Sequence, residues 1–454
     1  MPSLRRPWLH VFVAGWATSA TLAFHSCRIS SPSDAARSTT TLKSHPLPTV
    51  GAIDVTEHAP RNVGPWLYYD WAANCGIQTA PGFELMSEDY GVDVFAATSQ
   101  DLPAESPVVC VPSEVILSGG KARTELGAGT AGAERALNLS DHALFYLFLK
   151  VLREYEAGTA SPWFAWLDSL PRYFSNGASM TDFCFSCLPP YAAKQAKLDK
   201  SRLKRFQLAL DEIDFLELDT KSNPDVTKWA YNVVSTRYTE TEGGDYVIIP
   251  MADYFNHQGS ESDVSTTFDA EGNCYVFSLR DVAAGSPLRL CAGDSTNPSQ
   301  LLAKYGFLDD SSSATYCKWI AEDPSPEIFE MGYPSKMLFY ADTGGVSHET
   351  WDVLLYTELG KNGMYEQQRA FYQAFVADDD DTKAAYHSEY FPNTLEALQR
   401  HVSYILNELE ELGTWQMTNV DTGQHPRLPL IMRHNQYMKA LLERVQQNLN
   451  SLSS

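Results

Sequence analysis

Two adjacent polar residues, Asn256 and His257, end an apolar stretch in the second half of the chain. An amide and an imidazole offer hydrogen-bond donors and acceptors within one short loop, which suits a polar ligand. The same pair can equally serve to close a loop, with His257 as a structural histidine. Asn-His after an apolar strand is therefore not diagnostic by itself.

Two other segments flank this pair along the chain. Upstream, Arg237 ends a Ser-Thr-Arg triplet that follows Trp-Ala-Tyr at residues 229–231. Downstream, residues 296–307 contain Tyr305 and end at Phe307. Arg237 could pair with a helix acid, and the two aromatic residues could belong to a core, so each also has a structural explanation. Their joint order and spacing favour a single binding site.

The elements that must position these residues alternate along the chain. Short apolar runs broken by Gly, Pro and Asp predict strands over residues 66–118 and again from 246 to 307. Helical periodicity dominates between these two regions and again after residue 316. The predicted fold class is α+β. The predicted segments are 1–49 as a targeting presequence, 50–139 and 241–315 as two parts of a β-rich core, 140–240 as a helical insert, and 316–454 as an all-α domain.

This arrangement resembles the SET-domain methyltransferases related to Rubisco large-subunit lysine methyltransferase and actin-histidine methyltransferase. The resemblance covers roughly residues 66–450 and depends on the segments 229–237, 250–257 and 296–307 in this order. It implies a SET core of small curved sheets, split by a helical insert, and a C-terminal helical domain that presents the substrate protein. It also implies that the last segment of the core passes beneath a loop, a topology that sequence patterns alone do not predict.

The resemblance further implies S-adenosyl-L-methionine as the cofactor. Asn256 and His257 then bind its methionine and adenine parts. Arg237 pairs with its carboxylate, and Phe307 packs on its adenine. Gly91 matches a glycine loop that passes the cofactor, where the missing Cβ permits close approach. Methyl transfer from a sulfonium to an amine is an in-line displacement that needs alignment and exclusion of water, so no metal is expected.

The chain departs from the family at the position that usually supplies a catalytic tyrosine. Family members generally have Tyr-Gly before the segment that leads to residues 305–307, whereas Ala292 precedes Gly293 here. Losing the hydroxyl leaves cofactor binding in place but removes a group that orients the substrate amine. Tyr305 is the residue that could compensate, and it is the predicted catalytic residue.

Two functions follow from the resemblance. The first is an S-adenosylmethionine-dependent protein methyltransferase that acts as a monomer on a lysine, or alternatively a histidine, of a substrate protein. The second, which Ala292 motivates, is a catalytically weak or inactive SET scaffold that binds a partner through its helical domain. A hydrolase or oxidoreductase is not supported, because the chain has no G-x-S-x-G, no P-loop and no G-x-G-x-x-G between a strand and a helix.

Charge and cysteine content narrow the range of partners. Lys and Arg total 34 against 57 Asp and Glu, and the formal charge of -23 repels phosphate backbones, so nucleic-acid binding is not expected. The acidic balance suits a basic protein or peptide partner, and equally a soluble protein that repels itself. The 8 cysteines are too sparse for a disulfide scaffold. Cys184 and Cys187 have metal or redox spacing, but with no second such pair they are predicted to be buried thiols.

The N-terminus has the composition of a targeting signal. Two arginines precede an apolar stretch at residues 8–24, which is too short and interrupted for a membrane span but suits a signal peptide. Residues 25–49 are rich in Ser and Thr, as transit peptides are. The Ala23-Phe24 junction resembles presequences of algae with secondary plastids, so import into the plastid stroma is predicted, with the secretory pathway or an uncleaved anchor as alternatives. No membrane span is expected in the mature protein.

Overall fold

The protein is described by a computed structural model over residues 53–453, apart from 65, 89–92, 260–261, 292–293, 320, 322–323 and 419–421. The predicted presequence at residues 1–49 lies outside the described residues. The described strands, in chain order, are β1 (Gln78–Thr79), β2 (Phe83–Met86), β3 (Phe95–Thr98), β4 (Pro107–Val111), β5 (Leu117–Ser118), β6 (Thr239–Glu240), β7 (Tyr246–Ile248), β8 (Asn256–His257), β9 (Val264–Phe268), β10 (Cys274–Ser278), β11 (Ser286–Pro287), β12 (Arg289–Leu290), β13 (Ala314–Tyr316) and β14 (Leu338–Tyr340).

The α-helices of the described residues fall between and after these strands. They are α1 (Gly119–Leu126), α2 (Ala131–Arg135), α3 (His142–Ala157), α4 (Phe164–Ser169), α5 (Asp182–Ser186), α6 (Pro190–Ala209), α7 (Leu218–Ser222), α8 (Pro224–Arg237), α9 (Pro298–Tyr305), α10 (Pro326–Glu330), α11 (His348–Lys361), α12 (Tyr365–Val376), α13 (Asp380–Thr418) and α14 (Leu428–Ser451). Small sheets and long helices occupy different parts of the chain, which confirms the predicted α+β class.

The described chain divides into two compact units. The first comprises the residues up to Phe174 together with Leu203–Cys291, and the second comprises Ser175–Arg202 together with the residues from 294 onward. Residues 175–202, which the sequence assigns to the helical insert, therefore cluster with the C-terminal helices.

The first unit contains several small sheets. A four-stranded antiparallel sheet has the order β1-β4-β10-β9, and two three-stranded sheets have the orders β11-β3-β2 and β5-β7-β6. The strands β8 and β12 form a separate parallel pair. Strands this short cannot bury a core by themselves, so the helices of the same unit must complete it.

Helices α3 and α8 supply much of that core. The run from Leu144 to Leu149 in α3 is buried throughout. Phe206 packs between them, with its ring centroid 5.1 Å from Phe145 and 5.6 Å from Tyr231 of α8. Helix α8 begins at Pro224 under an Asn223 cap and ends at Arg237, so its buried face fixes where that arginine stands.

The second unit has a helical core and a pair of antiparallel strands. Strands β13 and β14 pair antiparallel, while α11, α13 and α14 supply buried aliphatic residues that include Leu354, Leu398, Val402, Leu442 and Val445. Cys184 and Cys187 are both buried in this unit and neither forms a disulfide, which confirms the prediction of buried thiols. Among the described residues, no helix is long and apolar enough to cross a membrane.

Candidate functional site

Strand β8, which consists of Asn256 and His257, pairs in parallel with β12. Arg289 lies opposite Asn256 and Leu290 opposite His257. The Gln258 amide continues this pairing by donating to the Leu290 carbonyl at 3.1 Å. A pairing between two-residue strands contributes little stability by itself, so other contacts must hold the register of β8 against β12.

Those contacts come from the residues that follow the loop after β8. The Asp263 amide donates to the Arg289 carbonyl at 2.8 Å, and the Arg289 amide donates to Oδ2 of Asp263 at 3.0 Å. The Cys291 amide donates to Oγ of Ser262 at 2.7 Å. Residues 289–291 therefore lie between the two ends of one loop and are hydrogen-bonded to both.

Arg237 forms a buried ion pair with Asp253. Its Nη1 donates to the backbone carbonyl and to Oδ2 of Asp253, both at 2.8 Å, and Trp166 Nε1 donates to the same Oδ2 at 3.1 Å. The exposed fractions of the two charged side chains are 12% and 1%. Burial raises the pKa of the Asp253 carboxyl, and the Arg237 charge opposes that rise. The prediction that Arg237 could pair with a helix acid thus describes a real contact, because Asp253 lies in the short 3-10 helix Ala252–Tyr254 before β8.

A second arginine, Arg61, lies close to this pair. The guanidinium carbons of Arg61 and Arg237 are 6.0 Å and 5.4 Å from the ring centroid of Tyr254, which is buried. The Tyr254 hydroxyl is 2.6 Å from Oγ of Ser169, and Arg61 Nε donates to the Ser169 carbonyl at 2.9 Å. Burial lowers the pKa of the Arg61 guanidinium, and the charge of Arg237 adds to this effect.

Asn256 is joined to this cluster through Asp93. Its Nδ2 donates to the two carboxylate oxygens of Asp93 at 3.3 Å and 3.1 Å, and the Asp93 charge acts on Arg61 in turn. The first unit therefore brings Arg237 and Asn256 together with three charged residues that the sequence interpretation did not name. We call Arg61, Asp93, Arg237, Asp253 and Asn256 the polar cluster.

Arg237 and Asp253 of the polar cluster each have a buried polar atom without a hydrogen bond. Nε of Arg237 and Oδ1 of Asp253 have no partner within the described part of the chain. One is a donor and the other an acceptor, so a ligand with a carboxylate and an ammonium group matches both. An α-amino acid moiety carries both groups on its Cα atom.

Tyr305 and Phe307 belong to the second unit. Asn297 caps α9 by accepting from the Gln300 amide, and the helix ends at Tyr305 with Gly306 in the left-handed region at φ 80°. The Tyr305 and Phe307 rings are half-buried, with centroids 6.0 Å apart. Nζ of Lys304 lies 4.8 Å from the Tyr305 ring centroid. The two aromatic residues therefore form one pair.

Two residues singled out in the sequence, Gly91 and Ala292, lie outside the described residues. His257 is half-buried in β8. Of the residues that sequence reasoning missed, Asp253 lies three positions before Asn256 in the same segment, so an acid inside an apolar run was an available signal. Arg61 and Asp93 had no such signal, because they are distant in sequence from the motifs.

The fold is similar to that of solved structures of a SET domain. The chain is similar to a crystal structure of the SET domain of LSMT bound to lysine and AdoHcy, with a TM-score of 0.59 and 14% identity over 85% of this chain and 91% of the other. It is also similar to structures of Rubisco LSMT, one bound to AdoMet with a TM-score of 0.60 and 15% identity over 86% and 92% of the two chains, and one bound to sinefungin and monomethyllysine with a TM-score of 0.59 and 14% identity over 86% and 93%. No protein-family model matches the chain, and no curated protein matches it in sequence. The resemblance drawn from the sequence is therefore confirmed as a likeness of fold.

Proposed function

We propose that the protein is an S-adenosylmethionine-dependent protein methyltransferase directed at lysine. The observation that supports this most is the polar cluster beside β8, with its unpaired donor on Arg237 and acceptor on Asp253. The structures with the same fold contain AdoMet, AdoHcy or sinefungin, and some contain lysine or methyllysine. An amino acid moiety of the cofactor matches both unpaired atoms in chemical type.

Three residues of the polar cluster would have different roles in binding the cofactor. Arg237 would pair with the cofactor carboxylate through Nε while its Nη1 stays on Asp253. Oδ1 of Asp253 would accept from the ammonium group, and Asn256 would hold the adjacent loop through Asp93. When bound, the cofactor supplies the methyl group on a sulfonium.

The pairing of β8 with β12 has its own role in this proposal. Residues 289–291 are fixed from both sides, so the chain that follows Cys291 starts from a defined position. A backbone segment that starts from a defined position limits the motion of the group that lies next to the substrate amine. Tyr305 is proposed as the catalytic residue and Phe307 as the aromatic partner of adenine, and Gly91 and His257 are proposed to line the cofactor.

Cofactor binding is tested by calorimetry with S-adenosylhomocysteine. We expect micromolar binding by the full chain, at least tenfold weaker binding by Asn256→Ala, and unchanged binding by Asn138→Ala, a matched change at an exposed position. Equal affinity of Asn256→Ala and the unchanged protein would argue against the proposed site.

Turnover is tested by incubating the protein with labelled S-adenosylmethionine and a stromal extract, because import into a plastid is also proposed. A labelled protein band that depends on Asn256 is the expected result. A substrate protein, rather than nucleic acid, is proposed from the acidic charge, and a monomer is proposed as the active form.

A second candidate is a SET-fold protein that binds a partner through its helical domain without turnover. The sequence favours it at one position, Ala292, where the family generally has a tyrosine. The Ala292→Tyr variant separates the two candidates. If the variant alone methylates while both proteins bind S-adenosylhomocysteine, the natural protein is a binder.

A further inference from the structure

Lys318 is a buried lysine with an unusual backbone conformation. It follows β13 in the second unit, is 6% exposed, and has φ 58°. A residue other than glycine in this region costs of the order of 1–3 kcal/mol, and such strain persists only where surrounding contacts hold it. These residues occur preferentially at functional sites, so the surroundings of Lys318 require an explanation.

A hydrogen-bonded chain of defined polarity starts at the amine of Lys318. Asn435 Nδ2 donates to the Cys187 carbonyl at 2.8 Å, so its Oδ1 accepts from Nδ1 of His434 at 3.0 Å. Nε2 of His434 is then the acceptor, and the Ser299 hydroxyl donates to it at 2.9 Å. The Ser299 oxygen can therefore accept from Nζ of Lys318, which lies 2.6 Å away.

This series of hydrogen bonds contains no carboxylate to balance the positive charge of a protonated Lys318. Across the part of the chain that the structure describes, no carboxylate forms an ion pair with Nζ, which lies 4.8 Å from the centroid of the Tyr191 ring. Burial lowers the pKa of Lys318 to about 7. It also lowers the pKa of His434 to about 4, so the imidazole stays neutral at physiological pH. A desolvated, partly neutral amine is a nucleophile.

Lys318 lines a cavity of about 200 Å³. Most of the other lining side chains are apolar or aromatic, among them Pro190, Tyr191, Ile405 and Met438. A cavity of about 150 Å³ is enough to hold benzene, so this one suits a molecule of about one ring. Glu408 also lines the cavity and disfavours an anionic ligand, while Lys318 disfavours a cationic one. A neutral, mainly apolar molecule fits this combination.

We propose that Lys318 is a covalent binding site for a small neutral aldehyde or ketone with an apolar body. The amine nitrogen attacks the carbonyl carbon and a C–N bond forms. The carbonyl oxygen then leaves as water with both protons of the amine, which gives an imine. Imine formation also removes the buried charge of the protonated amine. The site lies within the second unit and does not depend on the proposed methyltransferase function.

The test uses benzaldehyde with sodium cyanoborohydride at pH 7 on the full chain, followed by peptide mass mapping. An exposed lysine with a pKa near 10.4 has a neutral fraction roughly a thousandfold smaller than a lysine with a pKa near 7. We expect one benzyl group on Lys318 at least about a hundredfold faster than on exposed lysines. Labelling that spreads over exposed lysines, or that reaches Lys318 only after unfolding in urea, overturns the proposal.

Two variants separate the cavity from the amine. Met438→Trp fills the cavity but leaves Lys318 in place, and it should slow labelling of Lys318 at least tenfold. Met364→Trp, at a 37% exposed position of the same unit, should label like the unchanged protein. Thermal unfolding curves confirm that each variant is folded. Equal labelling of Met438→Trp and Met364→Trp at Lys318 would rule out the cavity as the binding site.

Discussion

Nη1 of Arg237 lies 2.8 Å from both the backbone carbonyl oxygen and Oδ2 of Asp253, so one residue accepts twice from one guanidinium nitrogen. Helix α8 ends at this arginine, and Asp253 lies three residues before Asn256. The ion pair therefore connects the end of a helix to the strand that bears the candidate cofactor residues. Both side chains are largely buried, so the pair has no alternative partner in water.

Replacing the acid of this pair should destabilise the protein. Asp253→Asn leaves Arg237 as a buried cation without a counter-charge, and breaking a buried pair in this way costs about 3–5 kcal/mol. The free energy of unfolding from urea titration measures the loss. Asp225→Asn is the matched control, because Asp225 pairs with Lys228 at a 49% exposed position and should change stability by less than about 0.5 kcal/mol. A similar small effect of both changes would show that the Arg237 pair contributes little.

Asp263 should control the order of the segment before Ala292. Its Oδ1 accepts from Nε and Nη2 of Arg280 at 2.8 Å and 2.6 Å, and its Oδ2 accepts from the Arg289 amide at 3.0 Å. Asp263→Ala removes all three bonds. We expect a loss of about 1–3 kcal/mol in unfolding free energy and faster hydrogen exchange at residues 289–291.

The control for that change is Asp281→Ala. Asp281 accepts from the Ala104 amide at 2.8 Å at an exposed position of the same unit. Its removal should leave exchange at residues 289–291 unchanged. If Asp263→Ala also leaves this exchange unchanged, the backbone pairing with β8 is sufficient to hold the segment.

More of the fold than of the candidate site could be predicted from the sequence. Helical periodicity after residue 316 predicted helices there, and α10 to α14 lie in that range; the short apolar runs from 246 to 307 predicted strands there, and β7 to β12 lie in that range. The parallel pairing of β8 with β12 has no local signature, since it joins residues about thirty positions apart through two-residue strands.

The charged neighbours of the site were hidden for a similar reason. Arg237 and Asn256 were selected for their place in motifs, but Arg61 and Asp93 join them through contacts that span 163 residues in the Asn256–Asp93 case. Side-chain chemistry shows what a residue can bind, whereas tertiary packing decides which residues meet. Asp253 is intermediate, because its place in the apolar segment was visible and its burial against Arg237 was not.

Gly306, which ends α9 between Tyr305 and Phe307, should tolerate no side chain. Its φ is 80°, and a Cβ would lie 2.7 Å from the Asn176 amide nitrogen and 2.8 Å from the Ser175 carbonyl carbon. Gly363 of the same unit has φ 75° and open space around the same position. Gly363→Ala should therefore cost about 1 kcal/mol for backbone strain alone, whereas Gly306→Ala should cost at least about 2 kcal/mol more. Urea unfolding of the two variants gives the comparison. Equal losses of unfolding free energy would mean that the backbone near residue 175 moves away from the added Cβ at no cost in free energy.

Lys318 should make stability depend on pH in the alkaline range. Burial lowers its pKa to about 7, whereas a lysine in the unfolded chain titrates near 10.4, so the unfolded chain binds more protons between these values. The free energy of unfolding therefore rises with pH across this window. The stability that is present at alkaline pH is lost as the pH falls toward 7. Lys318→Met removes the buried charge and should raise the unfolding free energy by about 2–4 kcal/mol at pH 7, with the gain falling below about 1 kcal/mol at pH 10.

The groups with shifted pKa values that face Lys318 or share its cavity do not titrate within this window. Burial lowers the pKa of His401 below its usual value near 6.5, and a hydrogen bond with Glu408 raises the pKa of Tyr404. The pKa of His434 is lowered to about 4 by burial, that of Cys317 is raised to about 12 by burial, and burial also raises the pKa of Tyr191 above its usual value near 10. Lys439→Met, at a position of α14 that is 38% exposed, is the matched control and should show no trend with pH. Urea titrations at pH 7, 8.5 and 10 give the comparison. A stability difference between Lys318→Met and the unchanged protein that is the same at all three pH values would mean that Lys318 titrates outside this window, since only a group whose pKa differs between the folded and unfolded chains can make stability depend on pH.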